Sequence, residues 1–488
     1  MDNPFSIFHS VILDEDSCKG CTICVTGCPV EAIRVRNGKA RILEERCIDC
    51  GECIRRCPNR AKKADTAPLA SMEGYDCKIA VVAPSFYGQF PAGYSVENIL
   101  QALGGIGFDY VFEAALGAEI VTRETLKILK KEGIRPLISS SCPAVLRLIQ
   151  VRFPTLLEHI IPLLSPMEIV AGISRKMVTE ILKKTEPPDD SGKKGQEPVI
   201  GVFFISPCPA KVTAVKNPLG HKKSQVDQVI SMNDLYLPLL TRLKKSCTTE
   251  EEKQVGKINR DENKSCFPLG SMASAYGIMW ASREGECRSL EHLFTREKNS
   301  VNEDSPVVKE KNTGKEEKLP GKDSNLSWIS VDGINEITSL FESIEDGNLQ
   351  DVDFVEAEAC PSGCSGGPLT IVQSAIAKEN LRQRFAQASR IPSDESVPVE
   401  LKKDVPVCSE EKIHPRPILQ LDKDFSKACK MMKEIEEILP ELPGLDCGSC
   451  GAPNCRALAE DIVKRKASKE DCVFVLKKKY FDGKISPV

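Results

Sequence analysis

The sequence predicts an α/β core with a mostly parallel sheet, preceded by a small cysteine-rich α+β unit and followed by a small helical unit. Two observations favour this fold class. From residue 77 onward, short apolar runs alternate with amphipathic segments, which is the pattern of strand–helix–strand units. Before residue 70 and after residue 440, closely spaced cysteines are the main feature. At 488 residues the chain has room for about three to four domains of ordinary size.

Composition excludes several classes of function. A net charge of −4 and 41% apolar residues describe a soluble globular chain and not the basic face of a nucleic-acid binder. The amino terminus shows no basic region followed by an uninterrupted apolar region, and no apolar run is long enough to span a membrane, so we expect a cytoplasmic protein. The 22 cysteines could form a disulfide framework, but that belongs to short secreted chains, and these fall in C-x-x-C groups on a long one. Metal binding is the favoured use.

The first seventy residues contain the same cysteine pattern twice, with gaps of two, two and three residues before a final Cys-Pro. Thiolates at these spacings hold a [4Fe–4S] cubane, and in two-cluster ferredoxins the fourth cysteine of each run binds the other cluster. Zinc knuckles are the alternative that the repeated spacing disfavours. We therefore expect a two-cluster ferredoxin-type domain over 1–70, with one cubane on Cys18, Cys21, Cys24 and Cys57 and the other on Cys47, Cys50, Cys53 and Cys28.

Local patterns predict the main elements. Residues 33–43 alternate around Asn37-Gly38, which indicates a hairpin with a type I′ turn. Residues 77–83 form an apolar run that Pro84 ends, as a buried strand would. Helices are predicted over 95–103, 119–131 and 167–184.

Three segments of the core each place cysteine just beyond a strand-like run. They are S-S-S-C-P at 139–143, I-S-P-C-P-A-K at 205–211 and E-A-E-A-C-P-S-G-C-S-G-G at 356–367. Ligands converge at the carboxyl ends of strands in α/β proteins. These loops can therefore bring four thiols to one cluster, namely Cys142, Cys208, Cys360 and Cys364.

Together with Ser165-Pro166-Met167, these segments resemble the hydrogen-activating domain of [FeFe]-hydrogenases over about 77–390. The resemblance implies two α/β lobes with a cubane between them, held by the four cysteines. It also implies a diiron subsite with CO, cyanide and a small dithiolate, inserted by maturation proteins. Cys364 would bridge the cubane to this subsite, and Lys211 would donate a hydrogen bond to a cyanide.

Several positions depart from the catalytic pattern of that family. Ser141 stands where the family has its proton-relay cysteine, and Ala214 replaces a glutamate. Ser206 and Glu358 stand in place of methionines. Such losses around intact ligands resemble the sensory class of [FeFe]-hydrogenases and imply low turnover. Ordinary loop polarity is the alternative explanation for Ser141 and Lys211.

The rest of the chain divides by composition. Residues 248–264 and 296–325 are rich in Lys and Glu and are predicted to be disordered insertions, and 391–424 is predicted to be a linker. The remainder, 425–488, contains cysteines spaced like those in the small cubane domain of corrinoid iron–sulfur proteins and of a membrane electron-transport subunit, with zinc as the alternative. The cysteines are Cys447, Cys450, Cys455 and Cys472.

The sequence thus indicates an iron–sulfur protein with four cubanes and a diiron site that interconverts H2 with protons and electrons slowly. Clusters near both ends of the chain suggest two electrical exits, that is, two places at which electrons leave the protein toward a soluble electron carrier or a signalling partner. Two alternatives stay open. One is a non-catalytic iron–sulfur carrier, like the cytosolic assembly factors that share this fold, and the other is a sensor of H2 or redox state.

Overall fold

The structure is a computed structural model that describes residues 8–185, 198–246, 267–268, 273–303, 326–388, 405–416, 421–422 and 424–481. Along the chain it forms a cysteine-rich amino-terminal unit, two α/β lobes and a helical carboxyl-terminal unit. The predicted fold class is confirmed. Within the described residues, no helix is both long enough and apolar enough to cross a membrane.

The amino-terminal unit is built on a hairpin between its two cysteine runs. Its elements are β1 (Val11–Leu13), α1 (Ile23–Thr26), β2 (Ile33–Arg36), β3 (Lys39–Ile42), α2 (Glu52–Arg56) and β4 (Lys62–Ala64). Strands β2 and β3 pair antiparallel, and β1 pairs with β4, which ties the ends of the unit together. Asn37 and Gly38 have φ of 53° and 71°, the positive values that a type I′ turn needs, so the predicted hairpin is confirmed.

The first lobe contains a parallel sheet with strand order β10-β6-β5-β8-β9. Its strands are β5 (Cys77–Val82), β6 (Tyr110–Glu113), β8 (Ile200–Ser206), β9 (Gln228–Ser231) and β10 (Phe267–Pro268). The side chains from Ile79 to Val82 are fully buried, as expected for a central strand with helices on both faces. The helices of this part of the chain are α3 (Val96–Gly104), α4 (Ala114–Leu129), α6 (Pro166–Thr185), α7 (Pro209–Lys216), α8 (Met232–Ser246) and α9 (Ala275–Met279).

The second lobe has a smaller parallel sheet. Its strands are β7 (Leu137–Ile138), β11 (Trp328–Asp332) and β12 (Phe354–Glu358), in the order β11-β12-β7. Its apolar core, which includes Val145, Ile149, Phe341 and Val355, extends to Ile48 of the amino-terminal unit. That unit therefore packs directly on this lobe. The remaining helices are α5 (Pro143–Arg152), α10 (Gly285–Glu303), α11 (Ile334–Glu345) and α12 (Ser374–Gln387).

Three predicted boundaries need correction or fall outside the described part. Helix α4 begins at Ala114, five residues before the predicted start, because Ala114 to Ala118 are apolar and pack into the core. Residues 296–303 belong to helix α10, so the predicted disordered insertion is wrong over that stretch. The helix continues there because its first turns are anchored by buried Cys287 and Leu290. The predicted insertion at 248–264 and the remainder at 304–325 lie outside the described residues.

Part of the predicted linker 391–424 is seated on the protein. Residues 405–416 are described, and Cys408 forms an antiparallel bridge with Leu163. Val405 is buried against Gly172, and Arg416 donates to the Cys47 carbonyl at 3.1 Å. These contacts supply the burial that the polar composition of the segment did not indicate. The carboxyl-terminal unit follows with α13 (Phe425–Ile438), α14 (Cys455–Val463) and α15 (Val473–Phe481).

Candidate metal centres

Two small cavities in the amino-terminal unit are each lined by four cysteines. One cavity is enclosed partly by Val35, Ala40 and Ala61, and the other by Val11, Ile33 and Ile48. The grouping follows the crossed pattern expected for two-cluster ferredoxins. The first set is Cys18, Cys21, Cys24 and Cys57, and the second is Cys28, Cys47, Cys50 and Cys53.

Backbone N–H groups point at sulfur atoms in both cavities. Ala32 N–H donates to Cys28 Sγ and Ala61 N–H donates to Cys57 Sγ, both at 3.2 Å. Ala40 N–H lies 3.5 Å from Cys18 Sγ. Such donors stabilise a thiolate and tune the potential of a cluster. The residues present therefore fit iron–sulfur cubanes.

Burial makes the second set of thiols hard to ionise without a cation. Loss of water contact raises the pKa of Cys50 to about 12 and those of Cys47 and Cys53 well above the usual value for cysteine. A bound metal reverses this preference because it coordinates the thiolate directly. These side chains therefore suit a positively charged cluster core.

The four cysteines of the core meet where the two lobes face each other. Burial raises the pKa of Cys364 well above its usual value, and Glu358, Cys208, Cys142 and Cys360 add to that rise as near neighbours. Cys142 follows β7, Cys208 follows β8 and Cys360 follows β12. Strands from two sheets therefore deliver thiols to one place, as the loop argument predicted.

Two of these cysteines immediately precede helices. Cys142 is the N-cap of α5 and Cys208 is the N-cap of α7, and Pro143 and Pro209 are the first helical residues. The positive end of a helix dipole favours negative charge, so this placement suits cysteines that bind a cluster. Ser206 supports one of the loops, since its hydroxyl accepts from Cys208 N–H at 3.1 Å.

Lys211 and Ser141 lie beside this group and contact each other. Lys211 is 9% exposed, and its Nζ donates to the Ser141 carbonyl at 3.2 Å. The Ser141 hydroxyl is 2.9 Å from the Ser139 hydroxyl. The structure thus brings both predicted catalytic residues to the cysteine cluster. Their catalytic roles stay a prediction.

A group of buried carboxyls extends away from Ser139. Glu286 accepts from the Ser139 hydroxyl at 2.6 Å, and burial, reinforced by the Glu356 charge, raises the pKa of Glu286 to about 8. Burial also raises the pKa of Glu356 to about 7 and that of Glu358 well above its usual value. Sequence reasoning noted Glu358 only as a departure and missed Glu286 altogether, because no spacing connects residue 286 to the cysteine motifs.

Arg55 links the amino-terminal unit to the core site. It donates to the Gly366 carbonyl at 2.9 Å, two residues beyond Cys364. Burial raises the pKa of Cys360 well above its usual value, Arg55 opposes that rise, and Cys50 lies near enough to add to it. One thiol of the second ferredoxin set is therefore a neighbour of one thiol of the core set.

The carboxyl-terminal unit has a comparable four-cysteine cavity. Asn454 caps helix α14, and Asp446 accepts from Cys455 N–H at 2.7 Å, which positions the loop on either side of the cavity. Cys447 is exposed, and its pKa is lowered by hydrogen bonds from Ser449. The cavity is lined by Cys447, Cys450, Cys455 and Cys472.

A larger cavity of about 660 Å³ lies beside the core site. It extends between α5, α6 and the linker residues 409–415, and Ser140, Pro143 and Ala214 form part of its wall. Ala214, the position at which the sequence resemblance expects a glutamate, contributes only a methyl group to this wall. The cavity adjoins the loop that carries Cys142.

Fold and site together define an iron–sulfur protein, with cysteine groups arranged in a two-lobed α/β core and two small flanking units. Comparison with family models agrees. The model described as iron only hydrogenase large subunit, C-terminal domain, matches residues 77–368, which is more than half of the chain. A 4Fe-4S dicluster domain matches 10–58, and an Fe-S cluster domain matches 442–474. The chain belongs to the iron-only hydrogenase large-subunit family, as the sequence resemblance indicated.

Among similar proteins are the NADP-reducing hydrogenase subunit HndD of Solidesulfovibrio fructosivorans and iron hydrogenase 1 of Clostridium pasteurianum. The first is 23% identical over 406 residues, covering 74% of this chain and 64% of that protein. The second is 25% identical over 327 residues, covering 63% and 51%. The chain thus matches about half to two thirds of the length of these relatives. A solved variant of [FeFe]-hydrogenase HydA1 from Chlamydomonas reinhardtii is 18% identical, with a TM-score of 0.45 over 72% of this chain and 98% of that one.

Proposed function

We propose that this iron–sulfur electron-transfer protein carries four [4Fe–4S] clusters and a diiron subsite, and that it interconverts H2 with protons and electrons at low turnover. The observation that carries the proposal is the convergence of Cys142, Cys208, Cys360 and Cys364 between the lobes, with Lys211 beside them. When bound, the diiron subsite supplies the hydrogen-activating chemistry, and the protein supplies ligation, orientation and electrostatics.

Each nearby side chain has a proposed part. The four thiolates would hold the cubane, and Cys364 would also be the ligand through which the diiron subsite is attached. Lys211 uses one N–H on the Ser141 carbonyl and has further donors for an anionic ligand such as cyanide. Ser141 holds a proton on its hydroxyl and exchanges it with Ser139. A hydroxyl is a far weaker acid than a thiol, so transfer through Ser141 is slow.

Slow turnover suits a protein that reports H2 or redox state to a partner. We propose a soluble electron carrier or a signalling protein as that partner, and maturation proteins as the source of the diiron subsite. The second candidate is a non-catalytic iron–sulfur carrier. It is favoured by the same Ser141, whose hydroxyl replaces the relay thiol that a fast enzyme of the family would have.

Infrared spectroscopy separates the two candidates. Protein produced together with the maturation machinery should show CO and cyanide bands, and Cys364→Ala should lose them. Lys211→Met, which keeps the side-chain length but removes the donors, should shift the cyanide bands and leave cubane content unchanged. Complete loading of the cubanes without any CO or cyanide bands in the wild type would favour the carrier.

A further inference from the structure

The carboxyl-terminal unit is seated on the ferredoxin-type hairpin through its cysteine loop. Val35 N–H donates to the Gly451 carbonyl at 2.8 Å, so the two units are joined by a backbone–backbone hydrogen bond. We call this contact region between the hairpin and the carboxyl-terminal unit the seat. Arg36 donates to the Cys450 carbonyl at 2.9 Å. The contact therefore involves the loop that carries a proposed cluster ligand and not a remote face of the unit.

Buried ion pairs hold this seat together. Asp461 of α14 accepts from Arg34 Nε at 2.8 Å and from Arg36 Nη2 at 2.7 Å, and the Arg34 and Asp461 side chains are only 5% and 8% exposed. Arg46 donates to Glu460 at 2.6 Å and is 4% exposed. Charges buried to this degree are costly unless paired, so removing one partner opposes docking.

The seat adjoins one particular cysteine cavity of the ferredoxin-type unit. Val35 lines the cavity of Cys18, Cys21, Cys24 and Cys57. A Cβ placed on Gly448, the neighbour of Cys447, would lie 2.5 Å from the side chain of Thr26, which belongs to helix α1 together with Cys24. The carboxyl-terminal cavity therefore faces this set.

The other ferredoxin cavity faces the core site. Cys50 neighbours Cys360, and Ser10, whose N–H donates to Asp49, also donates to the Pro209 carbonyl at 2.7 Å. Gly51 lies against Pro209 and Pro368, the residues that follow Cys208 and close the Cys364 loop. The two ferredoxin sets thus have different neighbours, the carboxyl-terminal unit for the Cys18 set and the core site for the Cys47 set.

We propose that the four clusters form one series, running from the carboxyl-terminal unit through the Cys18 set and the Cys47 set to the core site, and that Asp461 is the residue that holds the series closed. With cubanes bound to these cysteines, each step would pass one electron, so that one cubane is oxidised and the next is reduced and no bond or proton is transferred. The two ends of the chain are therefore one electrical path and not two exits. This inference rests on the cubanes of the proposed function but not on the diiron subsite.

Electron paramagnetic resonance of the full chain tests the series. In dithionite-reduced wild type, the carboxyl-terminal cubane should show spin coupling to a second reduced cubane, and Cys450→Ala should remove that component. Asp461→Asn should convert it to an isolated signal with iron content unchanged, and small-angle X-ray scattering should show a larger maximum dimension. Glu436→Gln, an exposed change on α13, should behave as wild type.

A charge exchange between Arg46 and Glu460 tests the same contact even if the Asp461 variant misfolds. Glu460→Arg should weaken the coupling because it places two arginines together, and Arg46→Glu combined with Glu460→Arg should restore it. Two results would overturn the proposed series. One is a carboxyl-terminal cubane signal without spin coupling in wild type. The other is full spin coupling in an Asp461→Asn protein whose maximum dimension has increased. Absence of CO and cyanide bands would count against the diiron proposal alone, since these spectra report only cubanes.

Discussion

The Ser139 hydroxyl donates a 2.6 Å hydrogen bond to the buried carboxyl of Glu286, and the Ser141 hydroxyl lies 2.9 Å from the same Ser139 oxygen. This chain joins the loop of Cys142 to a carboxyl that carries no cysteine signature. Glu356 also acts on Glu286 through its charge. The hydrogen-bonded path that starts at the Cys142 loop therefore ends at Glu286, a carboxyl that lies outside the cysteine motifs.

Glu286 should make the stability of the protein fall as pH rises. Its folded-state pKa of about 8 lies above the ordinary 4.5, so the folded protein keeps a proton that the unfolded chain releases. The stabilisation is complete below the unfolded value and is lost as pH rises toward 8, by on the order of a few kcal/mol. Glu286→Gln should reduce this slope in thermal unfolding measured from pH 5 to 8. The exposed Glu336→Gln should not, and an unchanged slope in Glu286→Gln would show that Glu356 or Glu358 carries the effect.

Ser141→Cys should raise H2 evolution without changing cluster content. A thiol has a reference pKa of about 8.5 and can pass through thiolate near neutral pH, whereas a hydroxyl cannot. A positioned acid–base group contributes roughly 10²- to 10⁴-fold, although Ala214 removes a further family carboxyl and will limit the gain. Rates should be normalised to the infrared-quantified diiron site and measured in H2O and D2O. Equal rates with no isotope effect in either protein would mean that proton transfer at residue 141 is not limiting.

Cys450→Ala should remove one cluster from the carboxyl-terminal unit. Iron analysis should fall by about four atoms per chain, while the other cubane signals remain. Cys429→Ala, a change at an exposed cysteine of the same unit that is not assigned to any cluster, should leave the iron content unchanged. Zinc in place of iron in the wild type would contradict the assignment of this site.

Gly51→Ala should weaken the packing of the ferredoxin-type unit on the core. Gly51 has φ of +72°, and an added Cβ would collide with the Pro368 ring. Gly38 has nearly the same φ, +71°, but no atom lies within 4 Å of its added Cβ. Both substitutions carry the left-handed backbone cost of about 1–2 kcal/mol, and only Gly51→Ala adds the clash. The melting temperature should therefore fall further for Gly51→Ala than for Gly38→Ala. An equal fall in both variants would show that Pro368 moves aside without a loss of stability.

Much of the organisation could be predicted because it is encoded in local spacing. The repeated gaps between cysteines predicted which thiols would come together, and Asn37-Gly38 predicted its turn because few residues adopt positive φ at two successive positions. The alternation of apolar runs with helices predicted parallel sheets in the core. The use of the cysteines as cluster ligands remains a prediction, which iron analysis and infrared spectra will test.

The sequence by itself determined the fold class, the cysteine groups and the positions that depart from the family. Tertiary structure alone decided that Glu286 meets Ser139, that Arg55 reaches the Cys364 loop and that Asp461 binds two arginines of a distant hairpin. The physical reason is that these are side-chain contacts between segments far apart in the chain, where residue type and spacing carry no information about the partner. A buried carboxyl or arginine has the same letter as an exposed one, and only the packing around it sets its charge, its pKa and its function.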